Sequence, residues 1–238
     1  YYTELNETRR QMVSAMTYPT IITIFAIGVI VFILIYVVPQ FTEIYETNDA
    51  EITGLTKMVI DVSAFLKEDY LILFGITIGI ILTIVILYKT VKAFKTYMQI
   101  ILMHIPVVKN VIIYNELTIF SKTFASLLRN NVFITDSMDI LSRITNNEIY
   151  RAILYKTINN IIKGDKISEA FKDHWAIPDV AYYMIVTGES TGDLANMMQK
   201  VSDYYQLLHK NIVNNLKSFI EPIMICFLAV IVGAIIIA

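Results

Sequence analysis

The stretch "GESTGDL", Gly188–Leu194, is the most specific short stretch in this chain. Two glycines four positions apart, two carboxylates and two hydroxyls raise the possibility of a phosphate cradle. That motif needs a strand before the turn and a Lys-Ser or Lys-Thr pair after it, whereas Asp193 and Leu194 follow Gly192 here. A turn between two helices fits better: Gly188 and Gly192 permit it, and Asp193 caps the helix that follows. Glu189 is then expected to be an exposed charge offered to a partner. Elsewhere His104, His174 and His209 have no metal-binding spacing, and no Ser-His-Asp or Cys-His arrangement can be argued from their positions. Cys226 is the one cysteine, so no disulfide forms within the chain. Glu43, Glu46, Asp49 and Glu51 could collect a divalent cation, but a solvated acidic loop is the simpler reading. No catalytic, cofactor or metal site is expected, and the chain reads as non-enzymatic.

The elements that must position these residues begin with the composition. Of 238 residues, 56% are hydrophobic and 17% charged, with a mean hydropathy of +0.59. Soluble domains average about 45–50% apolar and 25% charged. The apolar excess is concentrated in three runs, Pro19–Val38, Tyr70–Tyr88 and Ile223–Ala238. The first two lack any charge over lengths close to the roughly 20 residues that cross a bilayer core. The expected fold is all-α, with three transmembrane helices at 19–38, 70–88 and 219–238 and a helical bundle of about six antiparallel helices at 89–218.

Net charge is −2 overall, but its distribution carries more information. Residues 39–69 hold seven acids and two lysines, while residues 89–218 hold fifteen Lys/Arg and eleven acids. Arg9, Arg10, Lys89, Lys92, Lys95, Lys210 and Lys217 crowd the membrane edges of one side. The positive-inside rule therefore predicts residues 89–218 in the cytoplasm and 39–69 as an extracytoplasmic acidic loop.

Within the bundle, Lys89–Met103 is expected to continue the second span as one rod and to stop before Pro106. Leu117, Phe120, Phe124, Leu127 and Leu128 form an apolar stripe over Glu116–Arg129. Thr135 or Asp136 could cap a helix ending at Arg143. Asn147 caps the next, which Gly164 closes. Pro178 opens another helix at its first position, and "GESTGD" ends it. A long helix then runs from Asp193 into the third span. Trp175, the one tryptophan, is expected in the core with Phe171 and Ile177. Proline inside a helix bends it, so Pro19 and Pro222 are expected to kink the first and last junctions at the membrane surface. Glu221, beside Pro222, reads either as an interfacial carboxylate facing water or as a polar contact to another helix. Gly75 and Gly79 have the small-xxx-small spacing of closely packed helices.

The opening residues repeat the last junction: Tyr1, Tyr2, Leu5 and Pro19 align with Tyr204, Tyr205, Leu208 and Pro222 without gaps. Residues 1–18 are therefore expected to be the tail of an earlier cytoplasmic helical domain.

Six further stretches, in order around "GESTGDL", resemble the GspF/PilC family, the polytopic platform proteins of type II secretion and type IV pilus machines. They are "SAMTYPT" (Ser14–Thr20), "VVPQFTEIYE" (Val37–Glu46), "HIPVVKNV" (His104–Val111), "FSKTFASLLRNNVFITDSMDI" (Phe120–Ile140), "IKGDKISEAF" (Ile162–Phe171) and "IEPIMI" (Ile220–Ile225). Thr191 stands where that family usually has serine. Members carry two copies of the cytoplasmic domain, in keeping with the repeated phrase. The resemblance implies a multi-pass protein of the cytoplasmic (inner) membrane that forms homo-oligomers and binds no nucleic acid. Its implied partners are a hexameric assembly ATPase, pilin or pseudopilin subunits and other membrane assembly components. The rival reading, a transport permease subunit docking an ATPase, predicts polar faces lining a path, and these apolar spans offer few such groups. The residues singled out as contact or geometry positions are Gly188, Glu189, Gly192, Asp193, Leu194, Glu221, Pro222 and Pro19, with Gly75 and Gly79 for helix packing.

Overall fold

The computed structural model describes residues 20–47, 54–68 and 70–237, and all regular structure among them is helical. The all-α expectation holds. Two compact units divide the chain, one of Tyr1–Val85 with Val213–Ala238 and one of Ile86–Ile212.

In the first unit, α1 covers residues 20–47. Its Thr20–Ile44 portion is long and apolar enough to cross a membrane. Near its middle the ladder widens into a π-turn at Ile33–Val37. Pro39 explains why. Proline has no N–H to donate back along the helix, and the Val38 N–H is spent on the Ile33 carbonyl, five residues back. The Leu34 carbonyl is thus left without a main-chain donor. Ser63, on α2 (Gly54–Glu68), is buried and donates its hydroxyl to that oxygen. α2 packs along the π-turn and the end of α1. Much of the segment expected as an acidic loop is therefore helical. Asp49, Glu51 and Asp69 lie outside the described residues.

α3 (Tyr70–Thr90) is 21 residues long. A Cβ built at Gly75 or Gly79 would meet nothing within 4 Å, so no described helix uses their small-xxx-small spacing. Of the three expected spans, one stands alone by length and composition, and α3 joins it only as a pair with the helix that follows. At the other end, Ile225–Ala234 is apolar but shorter.

The second unit begins with a correction. The expected unbroken rod through Lys89–Met103 is interrupted at Val91, whose backbone is extended (φ −106°, ψ 103°), and α4 starts afresh at Lys92–His104. The chain bends through 106° at this break. α5 (Pro106–Arg129) starts ten residues before the predicted Glu116, with Pro106 in its first turn. That position suits a residue without an N–H. α6 (Ile134–Ile144) has Phe133 as N-cap with no side-chain hydrogen bond, so neither Thr135 nor Asp136 caps it. α7 (Glu148–Lys163) is capped as predicted: Asn147 accepts from the N–H groups of Ile149 and Tyr150, and Gly164 closes the helix at φ 82°. After a short 3-10 helix, Ile167–Ala170, α8 spans Asp179–Thr191. Pro178 is its N-cap and not its first residue. α9 runs Leu194–Ile237, 44 residues, with Pro222 inside an uninterrupted helix.

Leu117, Phe124, Met138, Ile185, Met198 and Tyr205 make the centre of one continuous core. The α6–α7 corner is tied down by polar groups. Gln99 donates to the Asn146 carbonyl and accepts from the Glu148 N–H. Lys95 bonds Glu148 at 2.9 Å. Arg151 donates to Glu148 and to the carbonyls of Ser142 and Thr145. Burial opposes the Glu148 charge, but these partners outweigh it and hold its carboxyl below the ordinary value.

Glu116 is the opposite case. Burial raises its carboxyl above the ordinary 4.5, only partly offset by the Thr145 hydroxyl, which donates at 3.0 Å, and by the Lys95 charge. The folded chain therefore holds this proton more tightly than the unfolded chain. Its contribution to stability is full below about pH 4.5 and is lost as pH rises through the folded-state value. Glu116→Gln keeps an acceptor for Thr145. It should raise the unfolding temperature at neutral pH, by about 2–4 °C per kcal/mol of relieved desolvation, and the gain should vanish on acidification. An equal gain at all pH values would contradict this assignment.

Candidate functional site: the turn between α8 and α9

The "GESTGDL" residues form the end of α8, a tight turn and the start of α9. Helix α8 continues through Thr191, so the predicted break falls later than expected, at Gly192 alone. Gly192 sits at φ 72°, in the left-handed region, where a side chain is strained. The Asp193 carbonyl accepts from the Met197 N–H at 3.1 Å, opening α9.

Gly188 has a different reason to be glycine. It is buried, and a Cβ there would lie 2.9 Å from the Leu194 Cα and 3.0 Å from the Met197 Cβ. The absence of a side chain lets α8 and α9 cross in close contact, with Leu194 buried in the gap.

Glu189 overturns its expectation. It is half-buried and accepts three hydrogen bonds: from the Ile167 N–H at 2.6 Å, the Ser168 N–H at 3.2 Å and the Ser168 hydroxyl at 2.6 Å. Its carboxylate therefore caps the 3-10 helix, whose first N–H groups have no partners of their own, and a negative charge is favoured at such an end. Two quoted stretches, "IKGDKISEAF" and "GESTGDL", thus meet through one side chain. Sequence spacing could not reveal this, because the pair is 21–22 residues apart and on separate elements.

The other candidates are not brought to this turn. Pro222 is exposed and lies along α9. Glu221 is also on α9. Pro19 lies outside the described residues. Trp175 is 43% exposed and not in the core. Its ring stacks on His174 at 5.8 Å and tilts against His104 at 5.4 Å, so two of the three histidines converge on it. Burial and the Lys156 charge lower the His174 pKa. Among the described residues, no group of three His, Cys, Asp or Glu side chains could hold a metal ion.

These contacts make the turn a structural joint. Glu189→Ala should leave three donors unsatisfied and destabilise the bundle by about 1–3 kcal/mol. Gly188→Ala should cost a similar amount through overpacking, about 1–3 kcal/mol. Thermal unfolding of the two variants checks this. An unchanged unfolding temperature for Glu189→Ala would return that residue to the role of a surface contact.

Comparison with known proteins agrees with the ordered motifs. The family described as type II secretion system (T2SS), protein F matches residues 120–238. The type IV pilus assembly protein PilC of Pseudomonas aeruginosa is 29% identical over 238 residues, covering all of this chain and 64% of that protein. PilC of Thermus thermophilus is 33% identical over 231 residues, covering 97% of this chain and 57% of the relative. Type II secretion system protein F of Pseudomonas aeruginosa is 24% identical over 238 residues, again the whole chain, and 58% of its own length. The chain thus spans about three-fifths of the proteins it matches. It belongs to the type II secretion system protein F family, the group that includes the PilC pilus-assembly proteins.

Proposed function

We propose that this chain is part of a membrane platform in a type IV pilus or type II secretion machine, coupling a cytoplasmic assembly ATPase to pilin or pseudopilin subunits. In this reading α1, α3 and the end of α9 are the three membrane spans. Residues 86–212 form the cytoplasmic bundle that meets the ATPase, and the platform works as a homo-oligomer in the inner membrane. Movement of the ATPase is passed through the bundle to the subunits in the membrane. The names of the relatives support the machine. The observation that carries the coupling is α9, a single 44-residue helix that begins in the packed core at Leu194 and ends in the apolar Ile223–Ile237 stretch. A helix resists compression along its axis far better than a flexible linker. The same reasoning assigns α3 and α4 a lesser part, since Val91 interrupts that path.

The first role of the "GESTGDL" joint is then to fix the angle at which α9 leaves the bundle, with Gly188 and Leu194 setting the crossing and Glu189 bracing it. Asp193, Glu221 and Pro222 are positions along the same helix or at its start. Replacing Asn214 and Asn215 together by glycine softens α9 without touching the core, since both side chains are exposed. Each glycine costs about 1 kcal/mol of helix preference. In cells, pilus assembly or secretion should fall sharply while the variant still reaches the membrane and still co-purifies with its ATPase. Assembly at the wild-type rate would refute coupling through α9. Failure of the wild-type chain to co-purify with any assembly ATPase would refute the platform reading itself.

A further inference from the structure

Helix α4 leaves a large apolar surface open while two of its polar side chains face the bundle beside the buried Met103: Gln99 is 8% exposed and hydrogen-bonded on both ends of its amide, and Lys95 is paired with Glu148. Its outer face is apolar, with Tyr97 68% and Ile101 54% exposed and Leu102 and Ile105 also open. Tyr97 and Ile101, four residues apart, lie on one stripe of the helix, and the exposed Ile105 follows just past its end. At one end of that stripe lies Trp175, held against His104. At the other, Lys89 and Lys92 are both exposed on either side of the Val91 break.

We infer that α4 is an interfacial helix, lying along the cytoplasmic face of the bilayer with Tyr97, Ile101 and Ile105 in the upper acyl region and its lysines on anionic headgroups. This rests on the proposal that α3 spans the membrane. Only one residue separates α4 from α3, so the start of α4 cannot leave the membrane surface. The extended backbone at Val91 supplies the bend that turns a spanning helix into one that runs along the surface. Burying the outer stripe in lipid removes apolar surface from water, and helices of this kind hold Lys and aromatic residues at the interface. Trp175 supplies the aromatic ring on the same edge. The inward-facing Lys95, Gln99 and Glu148 cluster then anchors the bundle to a helix whose far side is held by lipid.

The chain contains one tryptophan, which makes a direct test available. The full chain is reconstituted into vesicles of phosphatidylcholine and phosphatidylglycerol, carrying Trp175→Phe with Ile101→Trp. Lipid brominated near the top of its acyl chains should quench the reporter at position 101 by about twofold or more, as expected for a side chain at the headgroup–acyl boundary, while aqueous acrylamide should have little effect. A parallel Trp175→Phe chain with Ile81→Trp, at the middle of α3, reports the span through lipid brominated near the ends of its acyl chains. Quenching by acrylamide and not by brominated lipid at position 101, with position 81 still quenched by lipid, overturns the interfacial helix and leaves the span intact. Shielding of position 101 from both quenchers also overturns it, because a protein surface such as a second copy would then cover the stripe. Loss of lipid quenching at position 81 refutes the span itself. In the same vesicles, Lys89→Gln with Lys92→Gln should weaken the dependence of position-101 quenching on phosphatidylglycerol. An undiminished dependence would remove the lysines from the headgroup contact.

Discussion

Pro39 withholds one hydrogen-bond donor from α1, and the Leu34 carbonyl that loses its partner recovers one from Ser63 on a different helix. The same requirement is met by side chains at three further places among the described residues. A main-chain group removed from water must find a partner, because leaving it bare costs more than most single contacts contribute. Asn147 meets the need at the start of α7, Glu189 at the 3-10 helix, and Gln99 at the corner between α6 and α7. In each of the last two the partner comes from an element distant in sequence. Satisfying the backbone is therefore also what ties the elements together.

This constraint changes the meaning of the most specific motif. Glycines, acids and hydroxyls in "GESTGDL" have the composition of a binding loop, yet Gly188 and Glu189 are taken up in packing and capping, and the exposed Ser190 and Thr191 hydroxyls donate to the Thr187 carbonyl. Gly188 is a contact distance, Gly192 a backbone angle and Glu189 a cap. The proposed coupling role needs joints that hold their angle under load. Close-packed helices and a carboxylate with three donors supply that stiffness better than a solvated loop would. The polar cluster around Glu148 braces the corner between α6 and α7, where Lys95 and Arg151 converge on one carboxylate.

The helical paths at Val91 and Pro222 differ in kind. Helix α9 carries Pro222 without interruption. Proline removes one hydrogen bond but leaves its neighbours in place. Val91 has no such chemical excuse, and its extended backbone breaks the helix completely. Just past the break, α4 is held by the Lys95–Glu148 pair and by the Gln99 hydrogen bonds, while the helical preference lost at one β-branched residue is weak.

Much of this protein is legible in its residues taken alone. Apolar runs without charge and stripes at steps of three and four lead to an all-helical chain with a helical bundle and a helix long and apolar enough to cross a membrane. Asn147 and Gly164 mark their helix ends because capping is a local property, set within a turn of backbone. What the residues could not show is which distant groups meet. The partner of Glu189, the rescue of the Leu34 carbonyl by Ser63, the convergence of His104 and His174 on Trp175 and the inward turn of Gln99 all join positions far apart in the chain. Hydropathy reads each side chain against an average environment. Only the packed structure decides whether a polar group faces water, a buried main-chain donor, or a helix with its apolar side turned outward.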